Sequence, residues 1–252
     1  MPTLDDIACK FGTDKSTLAR LPPGENGYQS RPPRGHGYTI FYEHYMPEPS
    51  RPIRMLEIGV LDGKSLATWN EYYPHALIYG LDIDPTCVRF ENERTKVFIG
   101  SQADVAVLAD ICNQVPEGFD VIIDDGSHYV RHVISSFGGL FGHLKPGGLY
   151  VIEDLSVARA RDWGGTSFNR GMDLERHTGG NDPKEMVGFL KSVREREDVA
   201  ELVLHLERIC FIRKAEGTED KSRLERGDQL ESLLGKTLIQ KIVSECRSLL
   251  RV

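Results

Sequence analysis

Two apolar runs in this 252-residue chain end abruptly in carboxylates: Ile123-Asp124-Asp125-Gly126-Ser127-His128 and Tyr150-Val151-Ile152-Glu153-Asp154. Asp125, Glu153 and Asp154 would supply hard oxygen ligands suited to Mg²⁺. The nearby imidazole of His128 can act as a general base. Several carboxylates gathered in one place are costly to bury unless a cation neutralises them. Asp124, taken alone, is explained as a cap for the following helix. The set as a whole points to a site.

These residues need strand ends to position them. Phe119–Ile123 and Leu149–Ile152 are short and β-branched, as buried strands are. Three more strand candidates are Arg54–Ile58, Leu77–Leu81 and Lys96–Ile99. Helical patterns lie between the strands at Lys64–Tyr73, Cys87–Arg94, Ala103–Val115 and Val130–Leu144. His132, four residues after His128, would share a helix face with it and is expected to be an ordinary helix histidine. Lys145-Pro146-Gly147-Gly148 has the composition of a turn. Alternation of this kind implies an α/β fold with a mostly parallel sheet and right-handed crossovers. Ligands bind at the carboxyl ends of such strands.

Outside this region, Leu4–Phe11 and the aromatic Tyr38–Tyr45 are helix candidates. Ser16–Gly37, rich in Pro, Gly and Arg (Arg20, Arg31, Arg34), has the character of a lid or binding loop. Ser156–Asp182 is a second polar loop, leaving the Glu153-Asp154 strand. Pro183–Glu197 is helical in pattern. Glu201–Leu206 and Ile209–Arg213 have the pattern of two strands with a tight connection, a hairpin, hence a C-terminal antiparallel pair. Leu230, Leu233, Leu234, Leu238, Ile242 and Leu249 space an amphipathic tail helix, for packing or a homodimer contact. The expected division is 1–52, N-terminal helices and lid; 53–215, catalytic domain; and 216–252, helical tail.

The net charge of −7 and pI near 5.7 argue against non-specific nucleic-acid binding. No apolar run approaches membrane-spanning length, and the N-terminus lacks a signal-peptide pattern. Cys9, Cys87, Cys112, Cys210 and Cys246 are scattered and form no Cys-x-x-Cys pair, which suits free thiols in the cytoplasm.

The segment Met55-Leu-Glu-Ile-Gly59-Val-Leu-Asp-Gly63-Lys-Ser65 joins the first strand to the first helix of the sheet region. Its glycines let a ligand approach the backbone at a helix N-terminus. Gly59 and Gly63 stand one residue too close for a P-loop, and Val60-Leu61 break a dinucleotide fingerprint. An S-adenosylmethionine site remains, because that cofactor has no pyrophosphate to cradle. Glu57, Gly59, Gly63 and Ser65 would serve it. Asp82 would meet the ribose hydroxyls, and Ser101-Gln102, with Asp124, would lie near the adenine. Thr13 and Lys15 are further cofactor-side candidates.

With Phe-Gly-Thr-Asp-Lys at 11–15, Leu-Glu-Ile-Gly-Val at 56–60, Ile-Asp-Asp-Gly-Ser-His at 123–128 and Leu-Lys-Pro-Gly-Gly-Leu-Tyr-Val-Ile-Glu-Asp at 144–154, the chain resembles the class I S-adenosylmethionine-dependent, Mg²⁺-dependent sugar O-methyltransferases. That family includes mycinamicin-type macrolide sugar enzymes and others acting on rhamnosyl glycolipids and methylmannose polysaccharides. The resemblance spans roughly Phe11–Arg213 and implies a Rossmann-like class I fold. It also implies Asp125, Glu153 and Asp154 as metal ligands, His128 as base and a sugar or oligosaccharide acceptor. Two differences from the macrolide enzymes bear on the acceptor. Their N-terminal auxiliary domain is not seen in this sequence, and a Pro/Arg-rich insertion separates Asp14-Lys15 from His36-Gly37-Tyr38. The alternatives are a catechol or phenol O-methyltransferase and a non-catalytic S-adenosylmethionine-binding module. Intact Asp125, His128, Glu153 and Asp154 speak against the latter.

Overall fold

The computed structural model describes residues 2–18, 35–159, 181–206 and 208–217. Most of the Ser16–Gly37 loop, including Arg20, Arg31 and Arg34, lies outside these residues. So do most of the Ser156–Asp182 loop and the whole Gln229–Leu250 tail.

The strands are β1 Arg54–Ile58, β2 Leu77–Asp82, β3 Thr95–Ile99, β4 Phe119–Asp124, β5 Leu144–Ile152, β6 Val199–His205 and β7 Ile209–Lys214. The helices are α1 Leu4–Phe11, α2 Thr39–Tyr45, α3 Lys64–Tyr72, α4 Val105–Gln114, α5 Val130–Leu140 and α6 Pro183–Arg194. The strands form one sheet in the order β3-β2-β1-β4-β5-β7-β6. The first five are parallel, and the β6–β7 hairpin joins the edge of β5 antiparallel. The expected Rossmann-like α/β arrangement with a C-terminal hairpin is the fold observed. The chain direction across the sheet reverses between β1 and β4, the position where open α/β sheets place their ligand crevice.

Strand side chains alternate between two cores. Met55, Val121, Ile123, Leu149 and Val151 face a core shared with Leu4, Tyr38, Tyr42, Trp69 and Tyr73. Leu56, Ile58, Ile122, Tyr150 and Ile152 face the other, with Leu108, Val133, Phe137 and Met186. The sheet is thus apolar on both faces, as parallel sheets covered by helices are.

Three expectations are corrected. Cys87–Arg94 is not a helix. A 3₁₀ turn over Pro85–Phe90 ends early, because Asn92 bridges Thr95 and the Glu91 carboxylate accepts from the Val97 amide at 2.9 Å, drawing the chain into β3. The helix expected over Val130–Leu144 stops at Leu140. Phe141–His143 tightens to a 3₁₀ turn whose carbonyls, with that of Leu144, accept from Lys214 Nζ at 2.6–3.2 Å. Lys145–Gly148 does not precede its strand but lies within β5. The register passes from Phe119↔Leu144 to Val121↔Leu149, so the extra residues bulge out of the ladder.

The N-terminal segment is fastened across the sheet by Asp5 of α1. Its carboxylate accepts from the Thr17 amide (2.9 Å), the Thr17 hydroxyl (2.6 Å) and the Thr39 hydroxyl (2.6 Å). Residues 14–17 run beside 35–39, with amide-to-carbonyl bonds from Gly35 to Thr17, His36 to Asp14, Gly37 to Ser16 and Thr39 to Lys15. Burial raises the Asp5 pKa, but the hydrogen bonds from Thr17 and Thr39 outweigh it and hold the carboxyl below its ordinary value. A folded pKa below the unfolded one means stability present above the ordinary pKa of 3.8 and lost as pH falls through the folded value. Asp5→Asn should therefore cost about 1–3 kcal/mol at neutral pH. The gap between variant and wild-type thermal midpoints should narrow as pH falls below the ordinary value of 3.8. A gap that stayed constant as the acid range was crossed would show that the carboxylate charge is not what matters.

Candidate active site

Counting in twos along the strands carries the apolar face of α1–α3 into a row of carboxylates. Glu57 follows Met55, Asp125 follows Ile123, and Glu153 follows Val151. The ladder continues past the strand ends, since the Asp125 amide donates to the Ile58 carbonyl and the Glu153 amide to that of Asp124. All three carboxylates converge on Lys15. Its Nζ bonds Asp125 Oδ2 and lies 3.0 Å from Glu153 Oε1 and 3.3 Å from Glu57 Oε1. Lys15 is 2% exposed, Glu57 0% and Glu153 3%, so these are interior charges.

The electrostatics are those of a cluster short of positive charge. Burial pushes the carboxyls of Glu57, Asp125 and Glu153 up. Burial pulls Lys15 down, but Asp125, Glu153 and Glu57 together outweigh it and hold the ammonium well above its usual range. Glu57 Oε1 remains without a properly directed hydrogen bond despite its proximity to Lys15. Three carboxylates face this one ammonium, and a fourth, Asp154, stands next to Glu153 beside His128. A further cation is what this donor set lacks.

Asp154 stands just past β5 with φ 52°, and His128 just past β4 with φ 56°. Non-glycine residues in this region are uncommon and carry strain, which concentrates at functional positions. His128 Nε2 lies 3.9 Å from Asp125 Oδ1 and 3.8 Å from Asp154 Oδ2. Ligand atoms of Asp125, His128 and Asp154 fall within 4.8 Å of one another, close enough to share one metal ion. Glu153 is not part of that group: its Oε1 accepts from the Tyr42 hydroxyl and faces Lys15. His128 also corrects the sequence expectation, because α5 begins only at Val130 and His128 sits in the turn before it. His132, inside α5, bonds the Ser127 hydroxyl at 2.8 Å.

The expected cofactor-side residues separate into groups. Glu57 accepts from the Ser65 hydroxyl at 2.7 Å, tying β1 to the start of α3. Asp82, at the end of β2, accepts from the amides of Val60 (2.8 Å), Leu61 (2.9 Å) and Asp84 (2.9 Å), and so shapes the turn after β1. Gly59 has φ 92°, and a Cβ there would collide with the Asp125 carbonyl. Gly63, the left-handed N-cap of α3, lies against the Phe90 ring. Packing within the protein thus already demands both glycines. Ser101 Oγ accepts from the Ala103 amide at 3.2 Å.

Asp124 points to the opposite face from Asp125. It is buried, accepts from Gln102 Nε2 (2.9 Å) and the Ser136 hydroxyl, and lies 3.4 Å from the Tyr150 hydroxyl. Gln102 Oε1 in turn accepts from the Ser127 amide at 2.7 Å, so this network braces the Asp-Asp-Gly-Ser-His turn from behind. Burial raises the Asp124 carboxyl. Thr13 is buried, and its carbonyl accepts from the Ser16 amide and hydroxyl in the turn that presents Lys15.

Several contributors were not singled out from sequence. Tyr38 and Tyr42, from the aromatic helix candidate, donate to Asp154 Oδ1 (2.5 Å) and Glu153 Oε1 respectively. Burial raises both phenols, with the Asp154 and Glu153 charges adding to it. His36 Nδ1 lies 3.4 Å from Asp154 Oδ1, and its ring is 5.0 Å from that of Tyr38. Asn181 accepts from the Val130 amide and donates to the carbonyls of His128 and Val157, closing the turn that carries His128. The i, i+4 spacing of Tyr38 and Tyr42 was a visible signal; a lone Asn181 after a long loop was not.

No protein-family model matches the chain. The 8-demethyl-8-alpha-L-rhamnosyl tetracenomycin-C 2'-O-methyltransferase of Streptomyces olivaceus is 37% identical over 199 residues, covering 76% of this chain and 44% of the relative. The mycinamicin VI 2''-O-methyltransferase of Micromonospora griseorubida is 40% identical over 139 residues, 52% of this chain and 34% of the relative. A solved mycinamycin-pathway methyltransferase, in complex with Mg, SAH and mycinamycin VI, superposes with a TM-score of 0.67 at 28% identity, over 87% of this chain and 56% of that one. The chain spans less than half the length of the curated relatives it matches. These homologues are sugar O-methyltransferases, the class its motifs resemble. Among the described residues no helix is long and apolar enough to cross a membrane.

Proposed function

We propose, from this kinship with the class I, Mg²⁺-dependent sugar O-methyltransferases, that the chain transfers a methyl group from S-adenosylmethionine to a hydroxyl of a sugar, with rhamnosyl or mannosyl glycosides the first acceptors to try. The observation that carries the proposal is the excess of carboxylates over cations at the ends of β1, β4 and β5. Asp125 and Asp154, with Glu153 beside them, would hold Mg²⁺. When bound, the ion would act as a Lewis acid on the acceptor hydroxyls and lower their pKa.

The residues of the chain account for the rest. A hard cation prefers oxygen, which leaves the His128 imidazole to take the proton of the attacking hydroxyl. Its Nε2 stands beside both Asp125 and Asp154, where that proton would leave. Asp82 and the turn it shapes after β1 would orient the cofactor ribose. Glu57 and Ser65 would fix the start of α3 beneath the cofactor. Holding nucleophile and methyl donor in near-attack geometry would supply much of the remaining rate.

The test is methyl transfer from S-adenosylmethionine to a panel of rhamnosides, mannosides and catechols, in Mg²⁺ and after exhaustive chelation. Turnover of a glycoside that falls more than about 100-fold on chelation and returns with Mg²⁺ is expected. Full activity in chelator would sink the metal proposal. Turnover of catechols alone would move the acceptor to phenols.

A further inference from the structure

Helix α2 is short, yet two of its side chains reach consecutive residues of the metal-site candidate. Tyr38, at its N-cap, and Tyr42, one turn later, lie on the same helix side. The Tyr38 hydroxyl donates to Asp154 Oδ1 and the Tyr42 hydroxyl to Glu153 Oε1. Consecutive residues leaving a strand point to opposite sides. The turn at Asp154, with its positive φ, is what lets one helix face serve both. Both tyrosine rings are fully buried: Tyr42 is wedged edge-on between Trp69 (5.3 Å) and Phe211 (5.6 Å), and Tyr38 packs beside His36. The phenols are therefore held by packing, independently of the carboxylates they contact.

Resting on the metal reading above, we infer that Tyr38 and Tyr42 are positioning residues that set the Glu153-Asp154 pair for the cation. Each phenol takes one oxygen of its carboxylate. At Asp154 the oxygen so held is Oδ1, while Oδ2 faces His128 and, across it, Asp125. Lys15 and His36 touch those same two oxygens, so without the hydroxyls each carboxylate would be fixed from one side only and free to turn away from the cation. Donors behind metal ligands are typically worth 10–100-fold in metal affinity.

The experiment uses Mn²⁺ as a spectroscopic stand-in for Mg²⁺, with free Mn²⁺ measured by electron paramagnetic resonance on the full chain. Tyr38→Phe and Tyr42→Phe keep the packed rings and remove only the hydroxyls. Each should weaken Mn²⁺ binding by roughly 10-fold or more, with S-adenosylhomocysteine affinity within about two-fold of wild type by calorimetry. Tyr73→Phe, which loses a hydroxyl bonded to the Pro47 carbonyl far from these carboxylates in the chain, should bind Mn²⁺ like wild type. Wild-type Mn²⁺ binding that both Phe variants at 38 and 42 retain would overturn this inference alone. Equal loss of Mn²⁺ and cofactor binding would also overturn it, since the role would then be general packing. A wild-type chain that binds no Mn²⁺ would overturn the metal reading, and this inference with it. Should Tyr42→Phe fail to fold, Tyr38→Phe decides.

Discussion

Replacing His128 by Asn should lower methyl transfer by roughly 10²–10⁴, the usual worth of a well-placed general base. Asn is the substitution to use because it tolerates the left-handed conformation at φ 56° that this turn requires. The Asn181 bond to the His128 carbonyl involves only the backbone and should survive the change. Two affinities then separate the possible roles. If His128 is the base, Mn²⁺ and S-adenosylhomocysteine should bind the variant within about threefold of wild type while turnover collapses. If it is instead a ligand, as its distances of 3.9 and 3.8 Å to the Asp125 and Asp154 oxygens allow, Mn²⁺ affinity should fall with turnover. That result would remove His128 from the proton-transfer step. A variant with unchanged turnover would remove it from the mechanism.

Much of the scaffold was legible because parallel strands buried on both faces are apolar nearly throughout and stop where carboxylates begin. Every strand expected from sequence is present, and the C-terminal hairpin pairs as its spacing required. The misjudged segments share a cause: long-range contacts decide them. Cys87–Arg94 has acceptable helical composition, but the Glu91 and Asn92 contacts to β3 end it. The length of α5 is set by a lysine from β7, more than seventy residues away. Strand parity carries more: the period of two that places Ile123 and Val151 on one face also separates Asp125 and Glu153 from Asp124. Lys15 was the hardest to place. It comes from a turn 110 residues before its partner Asp125, and no local pattern marks a lysine as interior. Its burial follows from the backbone pairing of residues 14–17 with 35–39, which fixes the turn against the sheet end.

Lys15 carries the second large effect, on stability. Removing one member of a buried, paired charge group typically costs about 3–5 kcal/mol, because the partners are left charged and undersolvated. Lys15 has three such partners, and two of them, Glu57 and Glu153, are as buried as it is. Lys15→Met keeps the length and apolar stem of the side chain and deletes only the ammonium. It should lower the unfolding free energy by about 3–5 kcal/mol in metal-free buffer. Lys145→Met is the matched control. Its ammonium bonds Asp120 at 2.6 Å, but the pair is partly exposed and should be worth at most about 1 kcal/mol. Added Mg²⁺ should then distinguish a charge effect from a packing defect. A ligand that binds only the folded state stabilises it in proportion to the logarithm of its occupancy ratio, and the variant cluster, more negative by one charge, should bind the ion more tightly. The thermal midpoint of Lys15→Met should therefore rise more with Mg²⁺ than that of wild type. A variant as stable as Lys145→Met would mean that the carboxylates simply take up protons and need no ammonium. A large loss that Mg²⁺ does not reduce would mean that Lys15 is held for its packing, and that the carboxylates around it are not short of a cation.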